Sequence, residues 1–394
     1  MPAEPTARYL DNHATTRTDP RVVESMLPFF SERFGNAAST GHAFGDDAAA
    51  AVEIARAEVA ELLGAEPVEV IFTSGATEAN NLALKGVLGT SPTNAHLVVS
   101  TVEHPSILDP AARLQRDGCQ LTRIPCDADG RIDPETVISA LTPDTVLVSV
   151  MWANNEVGTI NPVNDCAQAC HDRGVIFHTD AVQAAGRVPV NCRNLAVDLL
   201  SLSAHKIYGP KGIGALIVRR GTRRIRLAPQ IEGGGHEAHL RSGTLPVPLV
   251  IGFGTACRLA REALESESNR LSGLAGILVE GIRSRLPGVR INGHATDRLP
   301  GNVHLGFEGV DGDALLAGLR RIAVSSGSAC TTANPEPSHV LSAMGVPEAL
   351  SRASLRFGLG RFNTEEDIAV AVEEVVTTVE RLRGVDNSPR PTVR

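Results

Sequence analysis

Over the first two thirds of the chain, short apolar runs alternate with stretches that have one apolar face. Residues 46–63 predict a helix, because apolar side chains recur on one face up to Leu63 and Gly64 follows as a stop. A second helix is predicted over Pro105–Arg116. Buried strands are predicted at 68–73, 97–100, 146–151, 175–179, 199–202 and 215–218. Strands separated by helices indicate crossover connections and a mostly parallel α/β sheet.

The pattern changes near residue 254. A long helical stretch at 257–285 leads into mixed short elements, and a last helix is predicted over 365–383. This mixture of long helices and short elements indicates a smaller α+β domain after the large one. The last residues, 384–394, are rich in Pro, Arg and polar side chains, which is typical of a frayed terminus.

Composition narrows the class of protein. The 394 residues carry 37 Lys and Arg against 45 Asp and Glu, a net charge of −8, which argues against general nucleic-acid binding. No apolar run approaches the roughly 18 residues of a membrane span, and residues 1–8 lack the apolar core of a signal peptide. Seven cysteines without framework spacing favour free thiols in a reducing cytoplasm.

Three segments carry candidate chemistry. Residues 72–81 end a strand, pass through small residues and begin a helix, which suits an anion, although an ordinary capped turn has the same pattern. Asp180 ends another strand. A carboxylate at this position could pair with a protonated ring nitrogen, or it could simply cap a helix. Lys206 follows a third strand, where desolvation favours a nucleophilic amine. Together these are the parts of a pyridoxal-phosphate site.

The chain resembles cysteine desulfurases of the NifS/IscS type, which are class V, fold-type-I pyridoxal-phosphate enzymes. The matching segments are 9–16, 73–81, 102–104, 154–158, 178–183, 203–214, 233–237, 241–246, 325–330 and 355–361. The resemblance implies a large α/β domain over 14–257 with a mainly parallel sheet. It also implies a small α+β domain formed by 1–13 and 258–383, and a disordered tail over 384–394.

Residue roles also follow from the resemblance. Lys206 is expected to hold pyridoxal 5'-phosphate as a Schiff base, His104 to stack on its ring, Asp180 to pair the ring nitrogen and Gln183 the phenolic oxygen. Asn155 and Arg356 are expected to grip the substrate carboxylate, with Asn155 also on the cofactor. Ala76, Thr77, Ser203 and His205 are expected to bind the phosphate. His13, at a position that varies in the family, is expected to contact the substrate. Thr244 is expected to reach the phosphate of the partner subunit in a homodimer.

Cys330 decides which reaction is expected. It lies in 325–337, which is rich in Ser, Gly, Thr, Asn and Pro and reads as a loop. The resemblance makes it the thiol of a mobile catalytic loop that takes sulfur from L-cysteine and passes it to an acceptor protein. The other six thiols are predicted to be inert. Cys166 and Cys170, followed by His171, have a vaguely metal-like spacing, but no second ligand pair follows, so no resident metal is expected. A transient iron–sulfur cluster on Cys330 is left open.

Two alternatives remain at this point. One is a class V lyase or aminotransferase without a persulfide step, such as a selenocysteine lyase. The other is a non-catalytic sulfur carrier that kept the fold, against which Lys206, Asp180 and His104 argue. The sequence does not name the acceptor, which could serve iron–sulfur assembly, tRNA thiolation, cofactor synthesis or DNA phosphorothioation.

Overall fold

The computed structural model describes residues 7–221, 225–326 and 337–386. Its strands, in chain order, are β1 (Arg8–Tyr9), β2 (Val70–Thr73), β3 (His96–Ser100), β4 (Gln120–Ile124), β5 (Thr145–Ser149), β6 (Ile176–Asp180), β7 (Leu199–Ser203), β8 (Gly214–Val218), β9 (Val289–Ile291), β10 (Asn302–Phe307), β11 (Ile322–Ala323), β12 (Ser325–Ser326) and β13 (Ser354–Gly358).

The α-helices are α1 (Pro20–Met26), α2 (Pro28–Ser31), α3 (Ala43–Leu63), α4 (Ala76–Leu88), α5 (Pro105–Arg116), α6 (Pro134–Ala140), α7 (Val163–His171), α8 (Val247–Arg283), α9 (Gly312–Gly318), α10 (His339–Ala343), α11 (Glu348–Arg352) and α12 (Glu365–Asp386). Among the described residues, no helix is both long and apolar enough to cross a membrane.

Seven strands form the large sheet, in the order β2-β8-β7-β6-β5-β3-β4. Only β8 runs against its neighbours. The remaining strands are mutually parallel, and their carboxyl ends therefore meet at one edge of the sheet. Ligands of open α/β sheets bind at that edge. The sheet and its flanking helices confirm the predicted α/β fold of a fold-type-I enzyme.

Both faces of the large sheet are buried. Alternate residues of a strand point to opposite faces, and in β2 the side chain of Phe72 enters one apolar cluster while Ile71 enters another. The first cluster packs against α3 and the N-terminal part of α8, and the second against α4 and α5. Helices on both faces explain why the strands read as continuous apolar runs rather than as alternating ones.

A four-stranded sheet, in the order β12-β13-β10-β9, packs with the C-terminal half of α8 and with α12 around a separate apolar cluster. The N-terminal segment joins this part of the molecule, since β1 pairs with β11 and Asp11 forms a bridge to Gly358 in β13. The proposed division into domains at 13/14 and 257/258 remains a prediction.

The longest helix begins ten residues earlier than predicted. α8 starts at Val247 rather than near 257, and its N-terminal residues are buried against α3. Pro248 and glycines obscured the start in the sequence. The glycines are required by close packing, since a Cβ on Gly254 would lie 2.6 Å from the Cα of Ala55. α12 continues to Asp386, three residues beyond the predicted end, and 387–394 lie outside the described residues.

Candidate active site

A cavity of about 490 Å³ opens at the carboxyl ends of β2, β3, β5, β6 and β7. The N-terminal segment and β13 close it from the side of the small sheet. Eleven of the residues singled out from the sequence line it: His13, Ala76, Thr77, His104, Asn155, Asp180, Gln183, Ser203, His205, Lys206 and Arg356. Thr244 is exposed and lies outside the lining, and Cys330 lies outside the described residues.

The start of α4 forms one end of the cavity. Gly75 precedes the helix with φ +152°, a backbone conformation that side chains rarely adopt, and this lets the chain turn sharply from β2 into α4. The N–H groups of the first helical turn have no partner inside a helix. The Oγ of Ser203 faces this turn, 3.9 Å from where a Cβ on Gly75 would stand. Backbone donors, a hydroxyl and a helix dipole together suit a phosphate.

His205 lies beside the same turn. Burial, with Lys206 and Lys211 adding repulsion, lowers the pKa of its imidazole to about 4. The ring is therefore neutral near pH 7, and its Nδ1 lies 3.1 Å from the Oγ1 of Thr15. His205 can contribute a hydrogen bond to an anion in this state, but not a positive charge.

Lys206 follows β7 in a single 3₁₀ turn over Ala204–Lys206. Its Nζ donates hydrogen bonds to the carbonyl oxygens of His13, at 2.5 Å, and Ala14, at 2.6 Å. These carbonyls belong to the N-terminal segment that crosses the cavity. They orient the amine at the edge of the sheet. Asp180 lies at the end of the neighbouring strand, β6.

A buried chain of hydrogen bonds joins Asp180 to His104. Asn80 Nδ2 donates to a carboxylate oxygen of Asp180 and to the Oγ of Ser106, both at 2.8 Å. The Ser106 Oγ lies 2.8 Å from His104 Nδ1. The other carboxylate oxygen of Asp180 accepts from the backbone N–H of Val182 at 3.0 Å. Asp180 is thus fixed as an acceptor with both oxygens oriented.

This arrangement sets the state of His104. Ser106 accepts from Asn80, which leaves its hydroxyl proton free to donate to Nδ1, and the Ser106 backbone N–H also donates there at 3.1 Å. Burial lowers the pKa of His104, against the opposing effect of Asp180. The ring is therefore neutral, with its proton on Nε2. Sequence reasoning missed Asn80 and Ser106, and a polar side chain within the apolar face of α4 was the available signal.

Arg356 enters the cavity from β13. Its guanidinium donates to the carbonyl oxygen of Asn155 at 2.9 Å, to the carboxylate of Asp11 at 2.9 Å and to the Oγ of Ser325 at 3.2 Å. Arg356 is buried, and within the described part of the chain its Nε has no hydrogen-bond partner. One edge of this cation is therefore still able to bind an anionic group.

Gln183 and His13 also line the cavity. Gln183 Nε2 donates to the His13 carbonyl at 3.0 Å, and its buried Oε1 has no partner among the described residues. The His13 ring is buried and contacts the guanidinium of Arg187, a residue that the sequence analysis did not single out. Nothing in the local sequence indicated that the arginine in the turn after β6 would be buried.

The six described cysteines are thiols rather than disulfides, and none of them lines the cavity. Burial raises the pKa of Cys166 and of Cys192 to about 12. These thiols stay protonated near pH 7, so they are poor nucleophiles. Cys330 itself lies outside the described residues. On either side of the segment that contains it, Ser325 contacts Arg356, which lines the cavity, and His339 Nε2 contacts the carbonyl of Glu103, the residue before His104, at 2.9 Å.

Comparison with known proteins identifies the family of the chain. Residues 8–370 match the class-V aminotransferase family, to which the chain therefore belongs. Within that family, the cysteine desulfurase IscS of Anaeromyxobacter dehalogenans (strain 2CP-C) is 49% identical over 95% of this chain and 93% of its own. The interpretation of the sequence as a NifS/IscS-type chain is confirmed.

Solved structures give the same result. A NifS-like protein superimposes with a TM-score of 0.89 at 35% identity, over 95% of this chain and 100% of that chain. A structure described as SspA in complex with cysteine has a TM-score of 0.80, also at 35% identity, over 91% of this chain and 100% of that chain.

Proposed function

We propose that this protein is a cysteine desulfurase that converts L-cysteine into L-alanine and passes the sulfur, as a persulfide on Cys330, to an acceptor protein. The observation that carries the proposal is the convergence of Lys206, Asp180, His104 and Arg356 on one cavity. An amine, a fixed carboxylate, a neutral histidine and a carboxylate-binding cation are the groups that this reaction requires. Relatives named cysteine desulfurase support the same substrate.

The residues present fit pyridoxal 5'-phosphate. The unpaired N–H groups at the start of α4, with Thr77 and Ser203, would take the phosphate, and Asp180 would take the ring nitrogen. Gln183 Nε2 uses one N–H on His13 and has a second one for the phenolic oxygen. When bound, this cofactor withdraws electrons from the Cα of an attached amino acid.

The side chains then supply binding and proton transfer. Arg356 would hold the carboxylate of L-cysteine, which places the substrate beside Lys206. The Nζ of Lys206 would take the Cα proton and return a proton to the carbon skeleton, and the Nε2–H of His104 is a second group able to donate one. The Cys330 thiolate attacks the substrate sulfur, so that an S–S bond forms as the C–S bond breaks, and protonation of the carbon skeleton yields L-alanine.

A second copy of the chain is proposed to complete the site. Thr244 is exposed, and the nearby Arg241 forms an ion pair with Glu78 in the first turn of α4, at 2.9 Å. Large apolar side chains near the N-terminus are also exposed, with Leu27, Phe30, Phe34 and Phe44 each 57–62% accessible. A patch of this kind favours coverage by another protein surface. These features support a homodimer in which Thr244 reaches the partner's phosphate site.

The acceptor is proposed to be an iron–sulfur scaffold or a thiolation carrier. The thiol state of the six described cysteines supports a reducing compartment such as the cytoplasm.

The products test the proposed reaction. Purified protein supplied with pyridoxal phosphate, L-cysteine and a small thiol should release alanine and sulfide in equal amounts. Amino-group transfer to a 2-oxo acid without sulfide would identify an aminotransferase instead. Alanine from selenocysteine but not from cysteine would identify a selenocysteine lyase.

Arg356→Ala is expected to weaken L-cysteine binding about 30- to 1,000-fold while leaving cofactor content normal, because a charge-assisted carboxylate pair is lost. Arg356→Lys should recover little, since an ammonium cannot keep the contacts to Asn155 and Asp11 while it also donates to the substrate. The measurement is the apparent affinity for L-cysteine beside the bound cofactor per chain. Arg290→Ala, on the exposed face of β9, is the control. Unchanged cysteine affinity would make Arg356 a structural partner of Asp11.

Asn80→Leu is expected to weaken pyridoxal-phosphate binding roughly 10- to 100-fold, because Asp180 loses a charge-assisted hydrogen bond. Equilibrium dialysis against the cofactor measures the change. Asn81→Leu is the matched control, since Asn81 donates only to the Thr77 carbonyl one turn earlier. Equal losses in the two variants would show that α4, rather than the Asp180 contact, was disturbed.

A further inference from the structure

We propose that His13 is a neutral hydrogen-bond donor to the carboxylate of the amino-acid substrate, and that Arg187 holds it in the required tautomer. Its Nε2–H would act beside Arg356. The inference rests on the proposed function for the identity of the substrate, but the geometry of His13 and Arg187 stands independently of that function.

Hydrogen bonds from its side chain and to its carbonyl oxygen fix the position of Arg187. It is buried in the turn that follows β6, and its Nη2 donates to the carbonyl oxygens of Asn12, at 3.0 Å, and Lys206, at 3.2 Å. Its own carbonyl accepts from the Oγ of Ser268 in α8 at 2.6 Å. The remaining nitrogen, Nη1, contacts Nδ1 of His13. The guanidinium thus joins the N-terminal segment to the turn that carries Lys206.

This contact determines where the imidazole proton lies. A guanidinium has N–H donors and no acceptor, so the Nδ1 that faces it must present a lone pair. A protonated ring would set two N–H groups against each other. Burial, followed by the charges of Arg187, Arg356 and Lys206, also holds the pKa of His13 well below its usual value. The ring is neutral, and its proton is on Nε2.

No described residue accepts the Nε2–H of His13. His13 is 1% exposed and lines the cavity, and Nε2 has no hydrogen-bond partner among the described residues. The ring packs on β13, since a Cβ on Gly358 would lie 3.2 Å from the ring Cγ. Arg356 is two residues earlier on the same face of that strand.

Within the described ranges, two buried donors of residues that line the cavity therefore lack an acceptor: Nε2–H of His13 and Nε–H of Arg356. Leaving either donor unpaired is costly. A carboxylate has two oxygens and can accept from both. Surrounding cations disfavour a cationic ligand group here and favour an anionic one.

Two holoenzyme variants test the donor. His13→Leu should weaken binding of L-alanine, which has the carboxylate but no sulfur, about 10- to 100-fold. His13→Gln should recover most of that loss, because its amide nitrogen stands near the position of Nε2. Cysteamine, which has the sulfur but no carboxylate, should bind all three proteins alike. Ligand-induced changes in the visible spectrum report each affinity.

Unchanged L-alanine binding in His13→Leu would overturn the proposal, and so would an equal loss for cysteamine, which would move the contact to the amine or the sulfur. Neither ligand has to be desulfurated. Failure of the proposed reaction, seen as no alanine and sulfide from L-cysteine, is therefore a separate result.

The positioning role of Arg187 needs its own readout. Arg187→Leu should weaken L-alanine binding in the wild-type background but add little in a His13→Leu background, because Arg187 acts through His13. Arg187→Lys, which keeps a cationic donor, should restore binding. Equal effects of Arg187→Leu in both backgrounds would overturn the role. If that variant does not fold, ¹⁵N-histidine spectra of the unmodified holoenzyme decide, with His13→Gln to assign the signal. A proton on Nδ1 would contradict the assignment.

Discussion

Lys206→Ala should abolish turnover of L-cysteine, with a loss on the order of 10³-fold or more, because the variant lacks the only amine that we place at the reacting carbon. It should also lose covalent attachment of pyridoxal phosphate. In the structure the Nζ of Lys206 is aimed across the cavity and held by two carbonyl oxygens of the N-terminal segment. Mass analysis after borohydride reduction measures attachment, and alanine release measures turnover.

Lys211 provides the matched control for this experiment. It also lines the cavity, but it lies beyond the strand end, between Pro210 and Gly212. Lys211→Ala should keep the covalent cofactor and most of the turnover. Reduced cofactor attached to the Lys206→Ala protein, together with its loss from Lys211→Ala, would transfer the role to Lys211.

Cys330→Ser should nearly eliminate both persulfide and alanine, while L-cysteine still changes the visible spectrum of the holoenzyme. Substrate binding depends on Arg356 and Lys206, whereas sulfur transfer depends on a thiolate. A serine hydroxyl is a very weak nucleophile toward sulfur. The prediction rests on the sequence around Cys330 and on the family resemblance. Ser325, which precedes that segment, contacts Arg356 in the cavity lining.

Cys126→Ser is the control for Cys330→Ser. Cys126 is half-buried, and burial with the charge of Asp127 raises the pKa of its thiol. It should therefore carry no sulfur, and its variant should behave as the wild type. Substantial alanine from Cys330→Ser would instead support a lyase or aminotransferase without a persulfide step.

The sequence predicts the parts of the site that carry recognisable chemistry at recognisable places. Asp180 and Lys206 each follow an apolar strand, and parallel strands bring their carboxyl ends together, so that their convergence follows from the fold. Arg356 could not be placed from periodicity, because its position depends on pairing of β13 with β10 and β12. Only the family resemblance indicated it.

The partners of the groups that set protonation states were not predictable. Asn80 stands out as a polar residue on the apolar face of α4, but its bond to Asp180, 100 positions later in the chain, has no local signal. Arg187 and His13 are 174 positions apart, and their contact requires the N-terminal segment to cross the sheet edge. Such pairs arise from tertiary packing, to which no local pattern corresponds.

The position of the transferred sulfur decides whether Cys330 is the persulfide carrier. Wild-type holoenzyme would be mixed with L-cysteine in the absence of any acceptor thiol, and the peptides would then be mapped by mass spectrometry while alanine is counted. We expect one persulfide per chain, located on Cys330, formed together with one alanine. A persulfide on Cys119, Cys126 or another thiol, or alanine formed with no persulfide on Cys330, would contradict this expectation.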